Sequence, residues 1–134
     1  MIAVDASVLI GQLAGSDAHH ERASELLDEV RVRTLLAHQV TAAEVLVGGV
    51  RIGRGAEMSA DLQRLGVEVV PTDDGAPLRL AELRVRTGLK LPDCCVLDVA
   101  LQRRAALATF DDRLARVARG MGLDVVGAEP TGGA

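Results

Sequence analysis

The sequence predicts an α/β domain with a mainly parallel sheet of roughly five strands. Short apolar runs recur at intervals too long for hairpins, and the segments between them space their apolar residues as helices do. Glycine and proline fall at the ends of these segments, where turns belong. Strands alternating with helices pack as a parallel sheet covered by helices.

Ile2 to Val4 reads as a short buried strand, and Ala6 to about Leu13 as a helix that stops near Gly15. From His20 to Val30, apolar side chains at Ala23, Leu26, Leu27 and Val30 give helical spacing. Thr34 to Ala37 is the second strand, and Thr41 to about Gly48 a helix with Ala42, Val45 and Leu46 on one face. Ala56 to Leu65 is a helix ended by Gly66, and Val67 to Val70 a strand stopped by Pro71. Gly75 to Thr87 is helical and closes at Gly88, and Pro92 opens a helix running to about Arg104. Ala106 to Thr109 is the fourth strand, Asp112 to Arg119 a helix, and Leu123 to Val126 the fifth strand. Residues 1–126 thus form one domain, and the Gly/Pro/Ala-rich stretch 127–134 reads as a flexible tail.

Composition narrows the function. Phe110 is the only aromatic residue, so the core is aliphatic and any RNA must be held without a platform of stacked rings. The formal net charge of −4 argues against a generic nucleic-acid coat protein, but not against a nuclease whose bound metal offsets acidic charge. Positive charge is concentrated after residue 75, and Lys90 is the only lysine. Arginine forks suit phosphate well. Cys94 and Cys95 are adjacent in an apolar stretch and lack a CxxC pattern, which points to buried thiols in a reducing cytoplasm. No signal peptide is visible, and no apolar run reaches the ~18–20 residues that span a membrane.

Four acids follow the apolar runs: Asp5, Glu44, Asp93 and Asp111. In parallel sheets, ligands sit beyond the carboxyl ends of the strands at the point where strand order reverses. That rule puts Asp5 and Asp111 at one edge, joined by Glu44 and Asp93 if their helices start there. Hard divalent cations take such oxygen donors. Each acid also has a structural role open to it. Asp5, Asp93 and Asp111 could be helix N-caps, and Thr41-Ala42-Ala43-Glu44 fits a capping box. Crowded carboxylates repel and raise one another's pKa, so a convergent set calls for a cation.

These stretches resemble the motifs of PIN-domain ribonucleases. Val4-Asp5-Ala6-Ser7-Val8-Leu9-Ile10 looks like the family's opening motif, and Thr41 to Gly48 its second. Leu91 to Ala100 resembles the third, and Thr109-Phe110-Asp111-Asp112-Arg113-Leu114 the fourth. The resemblance spans about residues 2–126, and the compact length is similar to VapC-type toxins of bacterial toxin–antitoxin pairs. It implies a three-layer α/β/α sandwich and a metal-dependent endoribonuclease using Mg²⁺, with Mn²⁺ as substitute. Asp5, Glu44, Asp93 and Asp111 match the acidic tetrad, and Ser7 and Thr109 match supporting hydroxyls. It further implies a cognate antitoxin, an RNA substrate and a homodimer. Arg86, Lys90, Arg113 and Arg116 are candidates for gripping phosphate. A catalytically silent PIN-like module that binds a protein or RNA partner is the alternative.

Some neighbouring groups stay open. Asp98 lies about 140° round the helix from Asp93 and reads as a supporting or surface residue. Asp112 could compete with Asp111, although the motif favours Asp111 and the spare acid suits the first helical turn. His38 could approach the site, but reads better as a surface or capping histidine.

Overall fold

The computed structural model describes residues 1–15, 17–30 and 32–128. Five parallel strands, β1 (Ile2–Val4), β2 (Leu35–His38), β3 (Val67–Val70), β4 (Ala106–Ala108) and β5 (Val125–Val126), lie in the order β3-β2-β1-β4-β5. Seven helices join them: α1 (Ala6–Leu13), α2 (His20–Val30), α3 (Gln39–Arg51), α4 (Gly55–Arg64), α5 (Ala76–Thr87), α6 (Leu91–Arg103) and α7 (Asp112–Gly120).

The period of two along each strand divides the core. Ile2, Val4, Leu35, Ala37, Ala106 and Ala108 face one side, where they meet Leu9 of α1, Leu26 and Leu27 of α2, Val45 of α3 and Leu62 of α4. Ala3, Leu36 and Leu107 face the other, against Leu83 of α5, Leu97 of α6 and Leu114 of α7. The result is the expected three-layer sandwich. The central strands are buried on both faces, which explains why they read as unbroken apolar runs.

The chain runs outward from β1 to β2 and β3, then crosses to β4 and β5 on the other side. After β1 it turns to α1 on one face; after β4 it turns to α7 on the opposite face. The two turns part between β1 and β4, the point of strand-order reversal where parallel sheets commonly bind ligands. Val4 pairs with Ala108, and the Asp5 N–H continues the ladder to the Ala108 carbonyl at 3.0 Å.

Several boundaries moved. The helix expected from Thr41 starts at Gln39 and runs to Arg51, because His38 rather than Thr41 caps it. The fifth strand shrinks to two residues. In the predicted tail, the Gly127 and Ala128 carbonyls accept from Arg22 and Arg119, and Ala128 is buried. Gly127 needs to be glycine: its φ is +98°, and a Cβ would lie 2.7 Å from the Thr109 carbonyl. Residues 129–134 of that tail lie outside the described residues. Both cysteines are free and buried, with burial raising their thiol pKa values, that of Cys95 to about 11. Among the described residues no helix is long and apolar enough to cross a membrane.

Candidate active site

Asp5 is the most buried of the four acids, at 5% exposure. It follows β1 in extended conformation and caps α1, its Oδ1 accepting from the Val8 N–H at 3.3 Å. Two hydroxyls complete its bonding. Ser7 Oγ donates to Oδ1 at 2.5 Å, and the fully buried Thr109 Oγ1 donates to Oδ2. Each hydroxyl also accepts from the β4–α7 connection. Phe110 N–H reaches Ser7 Oγ at 3.3 Å, and Asp111 N–H reaches Thr109 Oγ1 at 2.9 Å. Two relays therefore tie Asp5 to the turn that carries Asp111. Burial raises the Asp5 pKa above its ordinary value, although the hydroxyls and backbone N–H groups pull it down.

Asp111 caps α7, its Oδ1 accepting from Leu114 N–H at 2.9 Å, which leaves Asp112 exposed in the first turn. Asp93 is not an N-cap. Lys90 holds that position, and Asp93 lies in the first turn behind Pro92. Nor is Glu44 part of a capping box. Thr41 is inside α3 with its hydroxyl buried and unpartnered, so Glu44 stands in the second turn.

Electrostatics link the set. Partial burial is the largest cause raising Asp93, followed by the charges of Asp111, Asp5 and Glu44, with Lys90 opposing. Glu44 is raised first by the hydration it loses on its cleft side and then by Asp5, although the residue as a whole stays exposed. Geometry sets a limit on the expectation of tight convergence. Among the described residues no three His, Cys, Asp or Glu side chains are gathered closely enough to hold a metal ion ready-made. Asp5 is turned onto its hydroxyl donors, and mutual repulsion favours spreading the others. The donor chemistry nevertheless fits Mg²⁺, which keeps several waters and needs only one or two carboxylates.

Lys90 and Arg113 border this region. Lys90 precedes α6 directly, and Arg113 Nη2 donates to the Gly88 carbonyl in the same loop at 3.3 Å. Arg116 is exposed on α7. Arg86 is exposed on α5, in a groove shared with Glu82, Leu83 and Leu101.

Two features escaped the sequence reading. Asp98 is not a surface residue but 4% exposed, held by a two-pronged bond from Arg79, Nε to Oδ1 at 2.9 Å and Nη2 to Oδ2 at 3.1 Å. The same guanidinium grips Asp73 with two bonds of 2.9 Å, which lowers the Asp73 pKa. These partners are 19 and 6 residues from Arg79, with no local pattern to announce them. His38 is the capping histidine the sequence allowed, but it is buried rather than on the surface. Its Nδ1 accepts from Val40 N–H at 3.0 Å, and its Nε2 has no partner.

The architecture defines a class: an α/β/α sandwich whose strand order reverses between β1 and β4, with Asp5 and Asp111 following those two strands. Residues 2–120 match the PIN domain family, and the chain belongs to it. Members of this family are generally nucleases. No curated protein matches the sequence. Solved structures do. A toxin–antitoxin complex from Klebsiella pneumoniae has a TM-score of 0.76 at 22% identity, over 96% of this chain and 98% of that one. VapBC2 from Rickettsia felis, bound to a promoter DNA fragment, gives 0.70 at 14% identity over 93% and 97%. FitAcB from Neisseria gonorrhoeae gives 0.67 at 20% identity over 93% and 96%. These likenesses show a shared fold.

Proposed function

We propose that this protein is a metal-dependent endoribonuclease and the toxin of a toxin–antitoxin pair. What supports the reading is the match of residues 2–120 to the PIN domain family, together with Asp5 after β1 and Asp111 after β4 tied to one another through the Ser7 and Thr109 hydroxyls. Carboxylates held near one another destabilise their own charged forms, and a divalent cation relieves that cost. Asp5, Glu44, Asp93 and Asp111 would hold Mg²⁺ or Mn²⁺. When bound, the cation supplies an activated water and neutralises charge on the scissile phosphate.

The chain's own residues supply position. Ser7 and Thr109 fix the Asp5 carboxylate, and the same hydroxyls fix the backbone ahead of Asp111. Lys90, just ahead of α6, and Arg113, bonded to the same loop, would supply positive charge to a phosphate backbone near the acids.

The toxin assignment rests on the named neighbours and on a docking surface. An apolar cavity of about 250 Å³, lined by Ile10, Leu13, Val45, Ile52 and Met58, opens beside Glu44. An antitoxin segment could bury apolar side chains there and present a basic one to Glu44. A homodimer and a cytoplasmic location belong to the same reading. The looseness of the carboxylate cluster favours the second reading, a catalytically silent module binding a protein or RNA partner. Purified protein incubated with single-stranded RNA separates the two. Cleavage that requires Mg²⁺ and stops with chelator supports the nuclease; intact RNA at every metal concentration supports the silent module.

A further inference from the structure

Phe110 is the only Phe, Trp or Tyr in the chain, and it stands directly before Asp111. Its N–H donates to Ser7 Oγ at 3.3 Å, and Ser7 Oγ donates to Asp5. The backbone that carries the ring is therefore tied to the acids, with the α-carbons of Phe110 and Asp111 ~3.8 Å apart. The ring packs on the side of the sheet that α1 and α2 cover. Helices α6 and α7, with Lys90 ahead of one and Arg113 on the other, cover the opposite side.

Two groups rest on this ring. Arg22 Cζ lies 4.3 Å from its centroid, anchored by a bond from Nη2 to the Gly127 carbonyl at 2.5 Å. The His19 imidazole lies 5.2 Å away between centroids, tilted by 32°, a separation typical of interacting rings. The chain around His19 is fixed. Its N–H donates to Asp17 Oδ1 at 2.8 Å, and His20 Nδ1 donates to the Gly11 carbonyl at 2.8 Å. Gly11 permits this close approach, since a Cβ there would lie 3.2 Å from the His19 carbonyl oxygen. Phe110 is half-buried and His19 exposed, so the imidazole is the open member of the stack.

Charge indicates what such a platform takes. Glu25 and Glu29, further along α2, line the concavity beside Phe110 and Arg22. They repel a phosphate, but not a neutral base, and every base has a face that stacks on a ring such as imidazole. The cations suited to the phosphates, Lys90 and Arg113, belong to the opposite side of the sheet.

We infer that the His19–Phe110 stack is a base-binding subsite, on which one unpaired RNA base beside the phosphate at the acids lies against the His19 ring. The inference rests on the ribonuclease reading and deepens it by naming where the substrate's base is held. An RNA strand would then cross the carboxyl edge of the sheet, its backbone near Lys90 and Arg113 and one base on His19.

The test titrates carbon-13-labelled full-length protein with hexaadenylate, hexauridylate and an abasic ribose-phosphate hexamer, with Ca²⁺ present to offset the acids. The ring current of a stacked base should shift the His19 ring protons with both oligonucleotides, and the abasic strand should leave them in place. His19→Ala should weaken hexaadenylate binding about 5-fold or more, the lower end for loss of one base stack. The factor should be the same at about 50 and 200 mM salt, unlike that of a lost phosphate contact. His19→Phe keeps a ring and removes the imidazole nitrogens, and should bind like the wild type. If the wild type cleaves RNA while hexaadenylate leaves the His19 ring unmoved, the inference is overturned and the nuclease reading stands. Equal shifts with the abasic strand overturn it too, as does a loss in His19→Phe as large as that in His19→Ala. Base-dependent shifts at His19 in a protein that cleaves no RNA keep the subsite and overturn the ribonuclease reading instead.

Discussion

Thr109→Val removes one hydroxyl from the centre of the site and little else. Thr109 is fully buried, so the valine methyl takes the place of Oγ1 with little change of shape. Two bonds are lost: the donation to Asp5 Oδ2, and the acceptance from Asp111 N–H. A hydrogen bond to a charged group contributes about 1.5–3 kcal/mol, and an ordinary one about 0.5–1.5 kcal/mol. The Asp111 residue is exposed, so its N–H has water nearby and costs at the low end. The sum is about 2–4 kcal/mol of destabilisation where the Asp5 carboxyl is charged, a fraction that grows as pH rises. Near pH 4 the raised Asp5 pKa leaves more of this carboxyl protonated, and losing a neutral partner costs about 1 kcal/mol. Thr109→Ser keeps the hydroxyl and should lose only the methyl contribution, about 1 kcal/mol, at both pH values. Urea unfolding of the three proteins at each pH measures this directly. A Thr109→Val penalty below about 0.5 kcal/mol at pH 7, or one identical at both pH values, would refute the account of Asp5 as a charged group held by that hydroxyl.

Other outcomes follow from the same structure. Burial lowers the His38 pKa below 6.5 despite Asp98, so the unfolded chain binds the extra proton; stability should fall as pH drops below 6.5 in wild type, and less in His38→Asn by calorimetry. Asp5, Glu44 and Asp93 have raised pKa values, a stabilising contribution present below their ordinary 3.8–4.5 and lost as pH rises through the folded values. Metal-free protein should accordingly gain from mild acidification once the His38 effect is removed. Arg79→Met leaves Asp98 buried without its partner, so its melting temperature should lie below that of the Arg79→Met/Asp98→Leu double variant; the reverse order would show that the pair is not coupled. Lys90→Ala and Arg113→Ala should each reduce the slope of RNA affinity against log salt by about one unit or less, read by fluorescence anisotropy.

Much of this architecture was legible in the chain because local and global signals agree. Ile2–Val4 and Ala106–Ala108 read as strands because both faces are covered, and Gly88 ended α5 because its φ of +73° suits glycine. The places of Asp5 and Asp111 were legible because each follows a strand end and caps the next helix. Thr41 misled because a capping-box spacing also occurs inside a helix, where burial of the threonine decides. His38 caps α3, one of the roles its place after β2 suggested, but its burial depends on packing that spacing does not reveal. Asp98 was hidden because its partner is 19 residues away and its burial depends on how α5 packs on α6. How far apart the four acids stand also lay beyond the sequence, since it depends on side-chain orientations.

The central claim is that Asp93 is a metal ligand of a nuclease, and Asp93→Asn tests it most directly. Asparagine keeps the shape and removes one negative charge from the cluster that Asp111, Asp5 and Glu44 share. With Mg²⁺ at about 100 times its dissociation constant, the wild type should gain about 2.7 kcal/mol, or about 10 °C in melting temperature. The variant should gain much less while remaining folded without metal. Its Mg²⁺-dependent cleavage of RNA should fall about 100-fold or more, the upper end of what losing even a supporting partner costs. Cleavage by Asp93→Asn at the wild-type rate, with the same metal-induced rise in melting temperature, would contradict the account.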